Sequence, residues 1–225
     1  MKALVVAVDG FASCGKSTLA RDLALALGYR YIDSGAMYRA VTYLMLKEGL
    51  SPNESPELDR LLNELNLQFR SVNGLNKLLV NHIELTTELR SKAVNTAVSP
   101  VSALPSVRKA MVALQRGYDD GQGLTMDGRD IGTHVFPNAD LKIFVSARPE
   151  IRAARRQAEL VAAGDSSWTL EEILQNQAER DFIDSNREFA PLRRAEDAVD
   201  LDNSDLSRQD QLKWALEMVQ RRQGL

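Results

Sequence analysis

Val5-Val6-Ala7-Val8-Asp9-Gly10-Phe11-Ala12-Ser13-Cys14-Gly15-Lys16-Ser17-Thr18-Leu19 is the stretch that decides the fold. It opens as an apolar, β-rich run and passes two glycines spaced five apart. It then enters an amphipathic helix predicted over 17–27. Gly10-x-x-x-x-Gly15-Lys16-Ser17 is the phosphate-binding loop pattern, in the strand-then-helix setting that the pattern needs.

The residue types fit an anionic ligand. Consecutive backbone N–H groups from Gly10, Phe11, Ala12, Ser13, Cys14, Gly15, Lys16, Ser17 and Thr18 are expected to form a concave anion site, with the next helix aiming its positive end at it. Gly10 and Gly15 permit the backbone angles and the close approach. Lys16 supplies a mobile charge to the outer phosphates of a triphosphate, and the Ser17 hydroxyl is placed to ligate Mg²⁺.

With 225 residues, the chain can bury a full core. It is 44% hydrophobic and 26% charged, ordinary for a globular protein. A formal charge of −3 argues against a general nucleic-acid or membrane-surface binder. No apolar run reaches the roughly 20 residues of a membrane span, and no cleavable signal precedes the first strand. Cys14 is the only cysteine, so the chain holds no internal disulfide and a cytoplasmic setting is expected. Its thiol reads as a small residue that fits the loop, with a reactive thiol at a helix start as the alternative. His82 and His134 lack metal-ligand spacing and read as structural or surface groups.

Along the chain, strands are predicted at 1–8, 29–32, 124–127, 141–147 and 198–201. Helices are predicted at 17–27, 36–48, from about 56 through 65, at 90–98, 105–118, 149–162, 169–185 and 207–223. Between 66 and 89, Leu67, Phe69, Val72, Leu78, Val80, Ile83 and Leu85 alternate with polar residues, with turns at Asn73-Gly74 and Asn81-His82. That predicts a small antiparallel lobe inserted into an α/β core. The core itself is a parallel sheet flanked by helices, with ligands at the carboxyl ends of its strands. Gly10–Ser17, Asp33–Gly35 and Asp127–Asp130 all follow strands at that end.

Arginine is the second signal. Arg39, Arg108, Arg129, Arg152, Arg155, Arg156, Arg180 and Arg187 fall on or beside the segments that follow those strands. A guanidinium grips phosphate through a planar fork and stays charged. A second anion opposite the first needs such groups.

The ordered set Asp33-Ser34-Gly35-Ala36-Met37-Tyr38-Arg39, Asp127-Gly128-Arg129-Asp130-Ile131-Gly132-Thr133, Val135-Phe136-Pro137, Glu179-Arg180-Asp181, Asn186-Arg187 and Ala190-Pro191-Leu192 resembles the bacterial cytidylate kinase family of nucleoside monophosphate kinases nearly end to end. The resemblance implies a single P-loop NTPase-type domain: core 1–65, 90–147 and 190–225, an inserted monophosphate-binding lobe at about 66–89, and a helical lid at about 148–164. It implies transfer of phosphate from ATP to CMP or dCMP with Mg²⁺; no exposed apolar helix pattern demands a dimer, so a monomer is expected. It puts Lys16 and the loop amides on ATP, joined by Arg155 and Arg156 from the lid. Arg39, Arg129 and Arg187 match residues on the monophosphate and the transferred group. Ser99, Arg108 and Asp130 match those that read cytosine, and Arg180 and Asp184 those at the ribose and phosphate. Ser34 and Tyr38 fall near the acceptor. The catalytic set so implied is Lys16, Arg129, Arg156 and Arg187. Phe11 departs from the family's usual proline, and Cys14 stands where a small residue is usual.

The chemistry agrees. Asp130 can accept from the exocyclic amine of cytosine, and Arg108 and Ser99 can donate to its acceptors. Uracil places a carbonyl against the carboxylate instead. Asp33 and Asp127 either hold the metal through its water or cap their loops. A kinase for UMP or another small acceptor is the nearest alternative. A nucleotide-dependent switch is the other, though it has no need of a second anion pocket.

Overall fold

The protein is described by a computed structural model covering residues 3–72 and 75–224. The predicted Asn73-Gly74 turn lies outside the described residues. Strand β1 (Val5–Gly10) is central. Its even residues Val6 and Val8 join one apolar cluster with Leu19, Leu23, Ile143 and Val219. Ala7 faces a second cluster with Ile32, Met37, Met111 and Met126. This period-two split is why the run is apolar on both faces.

Helix α1 (Lys16–Leu27) leaves the phosphate loop and ends at Gly28, left-handed at φ 68°. Strand β2 (Arg30–Asp33) leads directly into α2 (Ser34–Lys47), whose N-terminus is capped by Asp33. Helix α3 (Pro56–Glu64) starts on a Ser55 cap with Pro56 in its first turn. The lobe follows as β3 (Leu67–Val72), β4 (Leu75–Val80) and β5 (Ile83–Glu84), an antiparallel sheet of its own. Its Asn81-His82 turn has both residues left-handed, the hairpin geometry that matches strand twist. Leu67, Leu78 and Val80 are buried as expected, but Ile83 is exposed, because β5 pairs for only two residues at the lobe's rim.

Helix α4 (Lys92–Ala103) runs past the predicted stop at Val98. Pro100 removes one backbone donor, and the burial of Val98 and Val101 keeps the helix going. Helix α5 (Pro105–Arg116) and strand β6 (Leu124–Gly128) follow. A short i→i+5 turn, Ile131–Val135, comes before β7 (Leu141–Ser146). Helices α6 (Pro149–Ala162) and α7 (Leu170–Asn186) form a hairpin with its own small cluster of Ala153, Leu160 and Ile173. Strand β8 (Val199–Asp202) and α8 (Arg208–Gln223) complete the described chain.

The sheet order is β2-β6-β1-β7-β8 and every pairing in it is parallel. All five carboxyl ends therefore open on one edge, and each delivers a polar segment there. No helix among the described residues is long and apolar enough to cross a membrane.

Gly10 has no room for a side chain: a Cβ there would overlap the Val145 carbonyl oxygen and meet Cys14 Sγ at 3.0 Å. Gly10→Ala should cost roughly 1–3 kcal/mol through forced backbone movement at the root of the loop. Urea unfolding checks this, and an unchanged midpoint would contradict it.

Candidate functional site

A cleft of about 620 Å³ lies along the carboxyl edge of the sheet. A second hollow of about 680 Å³ lies outside it, between α1, β2 and β3. The two share Arg21, Tyr31 and Phe69. Only the first carries the phosphate loop and the arginine set, so it is the candidate site.

At one end, Ser13 and Gly15 are left-handed at φ 56° and 88°, which turns successive amides into a nest. Ser13, Gly15, Lys16, Ser17 and Thr18 line the cleft, whereas Gly10, Phe11, Ala12 and Cys14 lie beneath it. The Ala12 N–H donates to Asp181 Oδ1 at 3.0 Å, and its carbonyl accepts from Arg152 Nη1 at 3.1 Å. Arg152 and Asp181 pair at 2.5 Å, with the Arg152 guanidinium 5.6 Å from the centre of the Phe11 ring. The Cys14 carbonyl accepts from Asn203 Nδ2 at 2.7 Å, and its thiol is fully buried, which removes the reactive-thiol reading.

Lys16 Nζ donates to the Phe11 carbonyl at 2.9 Å, folding the side chain over the loop. Burial, with Arg129 beside it, lowers its pKa. Ser17 Oγ donates to Asp127 Oδ2 at 2.6 Å and Tyr31 donates to Asp127 Oδ1 at 2.8 Å. Burial and the Asp33 charge push Asp127 up to about 6. Asp33 differs. Burial would raise it, but Arg39 at 3.0 Å and the Ala36 N–H at 2.8 Å hold it below the usual carboxylate range. Asp33 thereby caps the N-terminus of α2.

At the other end, Arg108 is fully buried and donates to Asp130 Oδ2. Arg187 donates to Asp130 Oδ1 at 3.1 Å and to the Ala190 carbonyl at 2.8 Å. Arg129 Nε donates to Asp184 Oδ2 at 2.8 Å. Ser99 and Ser102 line the cleft beside them on α4. Ser34 Oγ donates to the Asp127 carbonyl at 2.5 Å, which ties α2 to the end of β6. Tyr38 stacks near Arg108, 5.5 Å from ring centre to guanidinium, and burial pushes its phenol up to about 12.

Between the two ends stand Arg39, Arg156 and Arg180. Arg180 forms no ion pair among the described residues, and its Nε is buried without a hydrogen-bond partner. Burial, then Arg129, drag its pKa down to about 10. Arg155 does not line the cleft: its terminal nitrogens bind Asn203 Oδ1 at 2.9 Å and the Asn203 carbonyl at 2.8 Å. It acts as a strut behind the loop.

The structure thus gathers Lys16, Ser17, Thr18, Ser34, Tyr38, Arg39, Ser99, Arg108, Asp127, Arg129, Asp130, Arg156, Arg180, Asp184 and Arg187 around one cleft. Sequence reasoning missed Asp9, Asp181 and Asn203. Asp9 had one available signal, a carboxylate at the buried end of an apolar strand. Burial pushes it up to about 7, although two backbone N–H groups pull the other way. Arg21, Arg90 and Asn95 also line the cleft without having been singled out.

The sequence model described as cytidylate kinase matches residues 6–221. The chain is 48% identical over 222 residues to the cytidylate kinase of Bacteroides thetaiotaomicron, covering 96% of each. It is 46% identical to that of Porphyromonas gingivalis, again over 96% of each. It is 44% identical to that of Halalkalibacterium halodurans, over 92% of this chain and 93% of the relative.

A half-buried cation whose Nε is sealed from water and lacks a partner destabilises a fold in the absence of its ligand. Arg180→Met should therefore raise the melting temperature of the ligand-free protein by about 2–4 °C, the shift expected of roughly 1 kcal/mol. Calorimetry without nucleotide checks this; a lower melting temperature would contradict the assignment of Arg180 as strained by its surroundings.

Proposed function

Since the chain belongs to the cytidylate kinase family, we propose that it transfers the terminal phosphate of ATP to CMP and dCMP, giving ADP and CDP or dCDP. The observation that carries the proposal is a single cleft with the phosphate loop at one end and the Arg108–Asp130–Arg187 cluster at the other. Arg39, Arg129 and Arg180 line the same cleft.

In this reading Lys16 and the amides of Ser13 to Thr18 hold the donor phosphates, with Arg156 from α6 closing on them. Arg39, Arg129 and Arg180 share the acceptor phosphate and the group in flight. The attacking atom is an acceptor phosphate oxygen, already an anion, so no general base is required. It bonds to the terminal phosphorus of ATP as the bond to the leaving ADP oxygen breaks. Fixed cations neutralise the spread charge, and positioning supplies most of the rest. The segment at about 148–164, built on α6, serves as the lid and the β3–β5 lobe as the acceptor-side flap, which together exclude water.

The donor set beside the loop fits Mg²⁺: Ser17 and Asp127 are hard oxygen groups already 2.6 Å apart. Among the described residues no cluster of three acids or histidines could cage a metal. Ser17 would hold the ion directly and Asp127 through water, with the phosphates completing its shell. When bound, Mg²⁺ would screen the phosphate charge. The enzyme is read as a cytosolic monomer.

Base selection falls to Asp130. Arg108 and Arg187 hold its carboxylate in place, one on each oxygen. It would accept from the cytosine amine, while Arg108 and Ser99 donate to the ring acceptors. Uracil would set a carbonyl against it, a mismatch that a site built for hydrogen bonding rejects strongly. Asp184, held by Arg129, would reach the ribose.

Two substitutions test this. Lys16→Ala should lower kcat by about 10²–10³-fold with little change in melting temperature; near-normal turnover would remove the loop from the chemistry. Asp130→Ala should erode the CMP-over-UMP ratio of kcat/KM by at least about tenfold, the worth of one lost polar discrimination. An unchanged ratio would contradict the base-reading role.

A further inference from the structure

Asp9 is a buried carboxylate that the reaction above does not use. It sits on β1, on the face shared with Ala7, one residue before the phosphate loop. Both of its oxygens accept from backbone: Oδ1 from the Ile131 N–H at 2.8 Å and Oδ2 from the Gly132 N–H at 2.8 Å. These amides open the short turn directly after Asp130. The turn is closed from its other end by the Asp130 carbonyl, which accepts from the His134 N–H at 2.9 Å and the Val135 N–H at 3.1 Å. Gly132 lies against the carboxylate: a Cβ there would be in ordinary contact with Asp9 Oδ2 at 3.4 Å and tighter against Lys142 Cδ at 3.0 Å.

The side chain of Asp130 is fixed by Arg108 and Arg187, but its backbone is fixed by this turn. The same turn sets the exit direction of Arg129 from β6. With both oxygens turned to amides, Asp9 is not offered to a metal or to donor phosphate. We infer that Asp9 is a positioning residue for the acceptor: it locks the 129–132 segment to the central strand, so that Arg129 and Asp130 meet the monophosphate and the base in register. The inference rests on the reading of Asp130 as the base-selecting residue. It separates two functions of β1, whose end leads into the donor loop and whose carboxylate aims the acceptor pocket.

The distinction sets the test. A purely structural role would weaken donor and acceptor binding alike, in step with lost stability. A positioning role falls on the acceptor alone. Asp9→Ala, Asp9→Asn and Gly132→Ala are compared with the unmodified full-length protein. The readouts are KM for CMP and for UMP at saturating Mg-ATP, kcat, the Kd for ATP without acceptor, and the melting temperature. Asp9→Ala should raise KM for CMP by about tenfold to a hundredfold, the range for a small misplacement of a positioned group. The CMP-over-UMP ratio should fall with it, while the Kd for ATP changes by less than about twofold. Asp9→Asn keeps the volume and one accepting oxygen and should fall between wild type and Asp9→Ala. Gly132→Ala presses on Lys142 Cδ and so displaces the turn from its far side, and it should shift the acceptor constants in the same direction.

Unchanged acceptor constants, or equal losses in ATP and CMP binding, would overturn the inference. So would failure of all three variants to fold, which would make Asp9 structural only. Asp130→Ala run alongside keeps the two claims apart. If it leaves base preference intact, the reading of Asp130 fails. If it erodes preference while the Asp9 and Gly132 variants do not, only the role of Asp9 fails.

Discussion

Too much positive charge in too small a cleft is the constraint on which the rest of the structure depends. Lys16, Arg39, Arg129, Arg156 and Arg180 line one space, and burial with mutual repulsion lowers the pKa values of Lys16 and Arg180. Such an arrangement persists in a fold only if rigid elements hold it and an anion relieves it. The parallel sheet supplies the rigidity. Its five strands end on one edge, so each cation is rooted in a separate element that cannot relax without disturbing the core. Carboxylates are used selectively: Asp33 holds Arg39, Asp184 holds Arg129, and Arg180 is left without an ion-pair partner among the described residues.

The back of the phosphate loop is held as firmly as its front is open. Asn203, Arg152 and Asp181 take up the carbonyls of Cys14 and Ala12 and the N–H of Ala12. Phe11, which stands where the resembled family usually has proline, packs edge-on against Phe144 and under Arg152. The ring thus gives the loop a contact to the α6–α7 hairpin. Arg155 extends this support by binding Asn203. Of the three arginines near the start of α6, two brace the loop and one, Arg156, faces the cleft.

Much of this was legible in the sequence, for physical reasons that can be named. The loop announces itself because glycine spacing, a β-rich run and Gly-Lys-Ser must occur together for an amide nest to form. The lobe shows through its alternation and its Asn81-His82 turn. Helices α3, α7 and α8 show through their Ser55, Thr169 and Ser207 caps. Less legible were contacts that join distant segments. Nothing local marks Asn203 as the partner of Cys14, or Asp181 as the partner of Ala12, since those bonds span 189 and 169 residues. The continuation of α4 beyond Val98 was hidden because Pro100 is a local stop signal, while burial of Val101 is a tertiary effect. The hold of Arg155 on Asn203 was equally hidden, because neighbours on a helix point in directions that only packing reveals.

The central claim is that the cleft holds two phosphates at once and passes one between them, with cytosine selecting the acceptor. Initial rates of ADP formation from Mg-ATP, with CMP, dCMP, UMP and AMP compared side by side, test it most directly. The account predicts ADP release strictly dependent on acceptor, with CMP and dCMP far ahead of UMP and no turnover with AMP. ATP binding without acceptor-stimulated turnover, or turnover led by AMP or UMP, would contradict it.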